Sequence, residues 1–267
     1  MTVTHILVVC SQKGGVGKTA VSVNLAVALR RQGYRVLLVD TDYSNPSVGF
    51  HLGMQDTNVG FQSVIKGKAK LDKAVGIHAP SGLHVLPGEI SVNMPRFSEA
   101  DVRSLVKSLD GSGYEFAVLD TAPGPMNQEA MEELGALKAL QVIIMTPEMS
   151  ATSSAMRLAQ IYSKAHLNYV FIANKIGRKR YELQVSEIED ALGERMLATL
   201  PEDQNVPMSV AAHIPLVIYN GRSPFAVEVK KLSKRLISRS GAEEAERVEE
   251  GEHRGFFAWL LGFFRRG

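Results

Sequence analysis

The ten residues Ser11 to Ala20, SQKGGVGKTA, constrain this chain more than any other stretch. An apolar run, Ile6 to Cys10, precedes them and reads as a strand; Val21 to Leu29 follows and reads as a helix. A glycine-rich turn between a strand and a helix leaves backbone N–H groups free at a helix N-terminus. The helix dipole adds partial positive charge there, so the place suits phosphate. Gly14, Gly15, Val16 and Gly17 form the turn, Lys18 is placed to reach β- and γ-phosphates, the Thr19 hydroxyl is a ligand for Mg²⁺, and Ala20 continues the helix. The general phosphate-loop pattern wants glycine where Gln12 stands, so the strict pattern misses by one residue. A lysine just before the glycine pair, Lys13 in KGGVGKT, makes the variant more specific than the general pattern.

Short apolar runs recur at Arg35 to Val39, Leu83 to Leu86, Phe116 to Leu119, Gln141 to Met145, Tyr169 to Ala173 and Met196 to Leu200. Helical patterns lie between them, clearest at Val21 to Arg31, Glu99 to Leu109, Asn127 to Leu137, Ala151 to Ala165 and Pro224 to Ile237. Runs without polar alternation read as strands buried on both faces. Their alternation with helices predicts an α/β fold: a mostly parallel twisted sheet with helices on both faces. Ligands in such folds sit at the carboxyl ends of the strands, and the polar residues that carry chemistry fall there.

Asp40 and Asp42 close the second run, two residues apart and so on one face of an extended segment. Beside a phosphate loop they suit holding Mg²⁺ through water and orienting an attacking water; taken alone, the same residues read as a capped turn. Asp120 ends FAVLD, the usual place of a second metal-side carboxylate in phosphate-loop ATPases, though such a residue also caps helices. Gly124 follows in DTAPG. Ser150 reads as the cap of the next helix. Asn174 offers a donor and an acceptor, which suits an adenine edge.

The heptad KGGVGKT resembles the deviant phosphate loop of the MinD/ParA family of ATPases. The resemblance implies ATP and Mg²⁺ as ligands, ATP-dependent homodimerisation, and slow hydrolysis stimulated by an activator protein. It makes Lys13 the signature lysine, which reaches the partner subunit's nucleotide, and Asp42 the aspartate that positions the hydrolytic water. Asp40 matches a supporting acidic position near the metal, Asn45 a dimer-interface asparagine, and Asp120 to Gly124 the second switch, whose glycine N–H senses a γ-phosphate. Glu148 matches a residue near the partner's ribose, Asn174 the reader of the base, and Pro201, Glu202 and Asp203 the segment around the adenine. Tyr43 stands where many relatives have proline, and Gln12 is more typical of ParA-like than of MinD-like chains.

Residues 1–239 are expected to form the ATPase domain, 240–253 an acidic linker with six glutamates, and 254–267 an amphipathic helix. On a helical wheel Phe256, Phe257, Trp259, Leu260, Leu261, Phe263 and Phe264 share one broad face, with Arg265 and Arg266 on the other. That arrangement suits a helix lying in an anionic bilayer interface and is too short to span it; a tail folded back on its own domain or packed against another protein is the alternative. MinD proteins carry a membrane-targeting helix at this position and ParA proteins do not, so the resemblance is MinD-like. It implies a cytoplasmic protein, peripheral on the inner face of the membrane, in division-site selection. A ParA-like role on DNA, through Lys230, Lys231, Lys234 and Arg235, and a flagellum-placement role remain alternatives. The net charge of +2 favours no partner class, and the single Cys10 excludes both a disulfide framework and a cysteine-paired iron–sulfur scaffold.

Overall fold

The structure, a computed structural model, describes residues 4–241 apart from 43, 56–58, 91–97, 110, 127 and 178. The proposed linker and amphipathic helix lie outside these residues, apart from the first two of the linker.

Eight strands form one sheet among the described residues: β1 (His5–Cys10), β2 (Val36–Asp40), β3 (Gly76–His78), β4 (Leu83–Leu86), β5 (Phe116–Asp120), β6 (Leu140–Met145), β7 (Asn168–Ile176) and β8 (Met196–Pro201). Their order is β3-β4-β2-β5-β1-β6-β7-β8, and only the β3–β4 pair is antiparallel. The helices are α1 (Lys18–Arg30), α2 (Val48–Leu52), α3 (Phe61–Ile65), α4 (Leu71–Ala74), α5 (Glu99–Leu109), α6 (Gln128–Ala136), α7 (Met149–Lys164), α8 (Val185–Leu192), α9 (Asn205–Ala211), α10 (Leu216–Tyr219) and α11 (Pro224–Ser240).

Alternate residues of each central strand serve two cores. Leu7 and Val9 of β1 pack on α1 and α11, against Leu25, Leu29, Phe225 and Leu232. Val8 and Cys10 point the other way, into a core completed by Leu105 of α5, Leu134 of α6, and Leu158 and Tyr162 of α7. Both sheet faces are covered, which is why these strands carry continuous apolar runs. Because β1 lies between β5 and β6, the chain reverses its direction of travel across the sheet beside β1. The crevice at the carboxyl end of β1 is therefore the topological switch point, where ligands bind in such sheets.

Every apolar run anticipated as a strand is one. Tyr169 to Ala173 is the middle of a nine-residue strand. The antiparallel β3 departs from the parallel pattern, and it makes the FAVLD strand the fifth rather than the fourth. Three residues are too few to show a period, and β3 gains its order from its ladder with β4.

Candidate nucleotide site

Residue 17 must be glycine for the loop to take this shape. Its φ is +92°, and it occupies the N-cap of α1 with no side-chain cap. A Cβ there would approach Asn174 Nδ2 to 2.5 Å. The first turn of α1 thus presents its N–H groups to a cavity of about 390 Å³ walled by Gly14, Gly15, Lys18, Thr19, Asp42 and Asn45. Lys18 is nearly buried. Burial lowers its pKa, against the opposing fields of Asp120 and Asp42. Anionic phosphate is the ligand that would relieve that burial.

Asp120 stands behind Thr19, itself 1% exposed. It accepts hydrogen bonds from Thr19 Oγ1 at 2.7 Å and Ser22 Oγ at 2.9 Å. Burial pushes its carboxyl up to about 6, against those two bonds and Lys18. The Thr19 hydroxyl also lies 2.8 Å from Ser47 Oγ. Asp42 accepts from Ser44 N, Ser44 Oγ and Asn45 N, all on Oδ1. These hydroxyl and carboxylate oxygens form the hard donor set that suits Mg²⁺.

Asp40 has a different place from the one anticipated. It lies behind the cavity wall and not on it. Its Oδ1 accepts from Asp42 N at 3.1 Å, and its Oδ2 from Ser47 N at 2.8 Å and Val48 N at 2.9 Å. Asp40 therefore pins both ends of the loop that carries Asp42 and Asn45. Burial, then the charge of Asp120, pushes it up to about 8 despite those three donors.

Three further expectations change. The Gly124 N–H donates to Ser11 O at 2.8 Å, so it is engaged with the phosphate loop rather than turned to a γ-phosphate. Ser150 does not cap α7: the N-cap is Glu148, which accepts from the Thr146 hydroxyl, and Ser150 lies inside the first turn. Ser150 instead accepts a hydrogen bond from Lys13 Nζ at 2.6 Å, which holds the exposed Lys13 at the rim. The Asn174 amide donates to Val16 O at 2.8 Å, so its N–H₂ fastens the loop.

Beside the phosphate cavity lies a wider one of about 960 Å³, walled by Gly17, Asn174, Lys175, Pro201, Glu202 and Asp203. Glu202 pairs with Lys179 at 2.7 Å. Burial opposes it, but hydrogen bonds from Asn205 and Phe225 hold Asp203 below the usual carboxylate range.

Three further participants join the site through the fold. Lys175, in the left-handed region at φ +60°, carries its Nζ to Gly15 O at 2.8 Å. Ser47 stands against Thr19. His51 lines the phosphate cavity, and burial followed by the nearby His213 pushes it down to about 4, so it is a neutral imidazole. Only the neighbouring Lys in Asn174-Lys175 carried a local hint; Ser47 and His51 are placed by tertiary contacts alone.

The model of the CobQ/CobB/MinD/ParA nucleotide binding domain matches residues 7–216. An uncharacterised ATP-binding protein of Methanocaldococcus jannaschii is 30% identical over 85% of this chain and 86% of its own. The putative septum site-determining protein MinD of Chlorella vulgaris is 26% identical over 97% of this chain and 93% of its own. Among solved structures, Pyrococcus horikoshii MinD complexed with Mg-ADP superposes with a TM-score of 0.77 at 29% identity, covering 90% of this chain and 98% of that one. A glycine-fixed phosphate loop at the switch point, backed by Thr19 and Asp120 and matched over nearly the whole domain, makes this chain a MinD-like member of the MinD/ParA family of nucleotide-binding P-loop ATPases.

Proposed function

We propose that this protein is an ATP-driven dimerisation switch that attaches reversibly to membrane and marks a cellular position, in the manner of its septum-site relatives. The observation that carries the reading is the division of labour between two lysines. Lys18 is buried inside the phosphate cavity, whereas Lys13 is exposed beside it with its ammonium donating to Ser150 Oγ. An exposed lysine beside an open phosphate site is placed to serve a nucleotide in a facing copy.

Thr19, Asp42 and Asp120 would hold Mg²⁺, the last two through water. The metal would supply neutralisation of phosphate charge. Lys18 and the α1 N–H groups bind and orient the β- and γ-phosphates. Asp42, on its pinned loop, accepts a hydrogen bond from the attacking water and directs it in line. The adenine occupies the wider cavity, where the Asn174 carbonyl oxygen remains as an acceptor and Pro201 to Asp203 form the wall. Asn45, on the same loop as Asp42, faces the partner, so closing the dimer and ordering the water are one event. Hydrolysis is slow until an activator completes the site.

Phe256, Phe257, Trp259, Leu260, Leu261, Phe263 and Phe264 would enter the bilayer interface, with Arg265 and Arg266 on anionic headgroups. One such helix holds weakly, and two on a dimer gain by effective concentration. The test is sedimentation with anionic liposomes, comparing the full chain with one ending at Ser240, in ATP and in ADP. Pelleting that needs both ATP and the tail supports the reading; equal pelleting of the shortened chain contradicts it.

A further inference from the structure

The parallel strands and their helices give the domain two ends. Nucleotide chemistry occupies the carboxyl ends of the strands. The chain leaves from the other end: α11 finishes at Ser240 beside the start of β1. There His5, Lys138, Leu140, Leu236, Arg239 and Ser240 wall a cavity of about 420 Å³. Three segments in or beside this corner are one-sided in composition. Residues 18–39, 134–147 and 229–241 contain no aspartate or glutamate, while they carry Arg31, Arg35, Lys138, Lys234, Arg235 and Arg239, all exposed. Gln32 Nε2 donates to Ser233 Oγ at 2.6 Å and so fixes the end of α1 against α11, which brings Arg31 to the α11 side of the corner.

Helix dipoles favour a cation in a last turn, and that accounts for Arg30 and Arg239. It does not account for Lys138 or for Lys234 in the body of α11, whereas Arg35 donates to Ser112 O and lies over the Tyr114 ring and Arg235 donates to Leu197 O. Among the described residues, acids at this end of the domain are elsewhere or engaged, and the six glutamates of the linker begin only beyond the corner, at Glu243. Glu189, Asp190 and Glu194 gather at the β8 edge, where Glu194 accepts from Tyr169 OH at 2.8 Å and Glu189 from Met196 N at 2.8 Å. Glu115 accepts from Arg35 N at 2.8 Å. Glu228 pairs with Lys231 one turn nearer the start of α11.

We propose that this basic corner, around the point where the chain leaves α11, is a second membrane-contact surface that lies on anionic headgroups when residues 254–267 are inserted. The inference rests on the membrane reading above. Its support is position and charge. Residues 242–253 span at most about 40 Å, at roughly 3.3–3.6 Å per residue, so an inserted tail keeps the corner close to the bilayer. Lysine and arginine within a Debye length of anionic lipid are attracted to it. A lipid surface also explains why the cations surround the exit rather than the nucleotide site. The corner then fixes the orientation of the domain, turning its nucleotide end away from the lipid.

The test uses the full chain with ATP, Mg²⁺ and vesicles of phosphatidylglycerol in phosphatidylcholine. The triple variant Lys138→Glu, Lys234→Glu, Arg239→Glu is compared with Lys68→Glu, Lys70→Glu, Lys73→Glu. The control triple reverses the same charge on α4 and the loop before it. Retained ATP binding shows that each has folded. The expected result is a loss of vesicle affinity of at least about tenfold for the corner triple and less than about threefold for the control. The corner triple should also lose most of the wild-type sensitivity to salt. Equal effects of the two triples overturn the proposal while leaving the tail reading intact. Failure of the wild type to bind vesicles at all removes both. Loss of ATP-dependent duplex DNA binding in the corner triple, with vesicle binding unchanged, makes the corner a nucleic-acid surface instead.

Discussion

At the scale of single residues, the site is a set of buried charges whose partners decide their roles. Lys18→Ala should raise the ATP dissociation constant about ten- to a hundredfold, since a charge-assisted phosphate contact contributes about 1.5–3 kcal/mol and the loop loses its only buried cation among the described residues. Titration calorimetry checks this. Asp40 yields a pH prediction. An aspartate titrates near 4 in an unfolded chain and at about 8 here. The folded state holds that proton more tightly, so the stabilisation is fully present below the unfolded value and is lost as pH rises through about 8. The nucleotide-free wild type should therefore lose melting temperature relative to Asp40→Asn between about pH 5 and about pH 9. A constant difference across that range would show that Asp40 is ionised throughout. The phosphate loop was legible because its logic is local: glycines, a lysine and a hydroxyl within ten residues. The role of Asp40 was not, because its carboxylate is claimed by N–H groups seven and eight residues onward, in a loop whose path the sequence pattern leaves open. Asn174 reads as a base contact in sequence, yet its N–H₂ fastens a loop 158 residues earlier in the chain.

At the scale of elements, the longer strands and helices follow from their periods, and the short ones do not. β3, α2, α4 and α10 have three to five residues each and take their order from what they pack against. α8 did carry a local signal, the Gln184 and Glu187 capping box. The start of α7 shows why a serine near a helix start is weak evidence: Glu148 holds the cap, and Ser150 is turned to Lys13. The β1–α1 junction is the least tolerant element boundary. Gly17→Ala would place a Cβ 2.5 Å from Asn174 Nδ2 at a φ that alanine rarely adopts. The strain should cost about 1–3 kcal/mol and lower the melting temperature by several degrees. ATP affinity should fall with it, because relief requires the loop to leave its bond with Asn174. Calorimetric melting with and without ATP measures both effects; an unchanged melting temperature would mean that the loop relaxes freely.

At the scale of the whole molecule, the domain works as a two-ended body. Its sheet gathers Lys18 and Thr19, Asp42, and Asp120 at one end from three separate segments, and its chain leaves from the other end among cations. The parallel topology that creates the nucleotide crevice also sends α11 back to the opposite end, so the proposed switch would read nucleotide state and attachment at separate surfaces. In the proposed switch, dimerisation is the step that joins them. The most direct measurement is the mass of Asp42→Ala in solution by light scattering or sedimentation velocity, with ATP and Mg²⁺ and then with ADP, beside Lys13→Ala. Asp42→Ala should retain unhydrolysed ATP and accumulate as a dimer only with ATP, whereas Lys13→Ala should bind ATP and stay monomeric. An Asp42→Ala protein that hydrolyses ATP like the wild type, or a Lys13→Ala protein that dimerises as readily, would contradict the proposed switch.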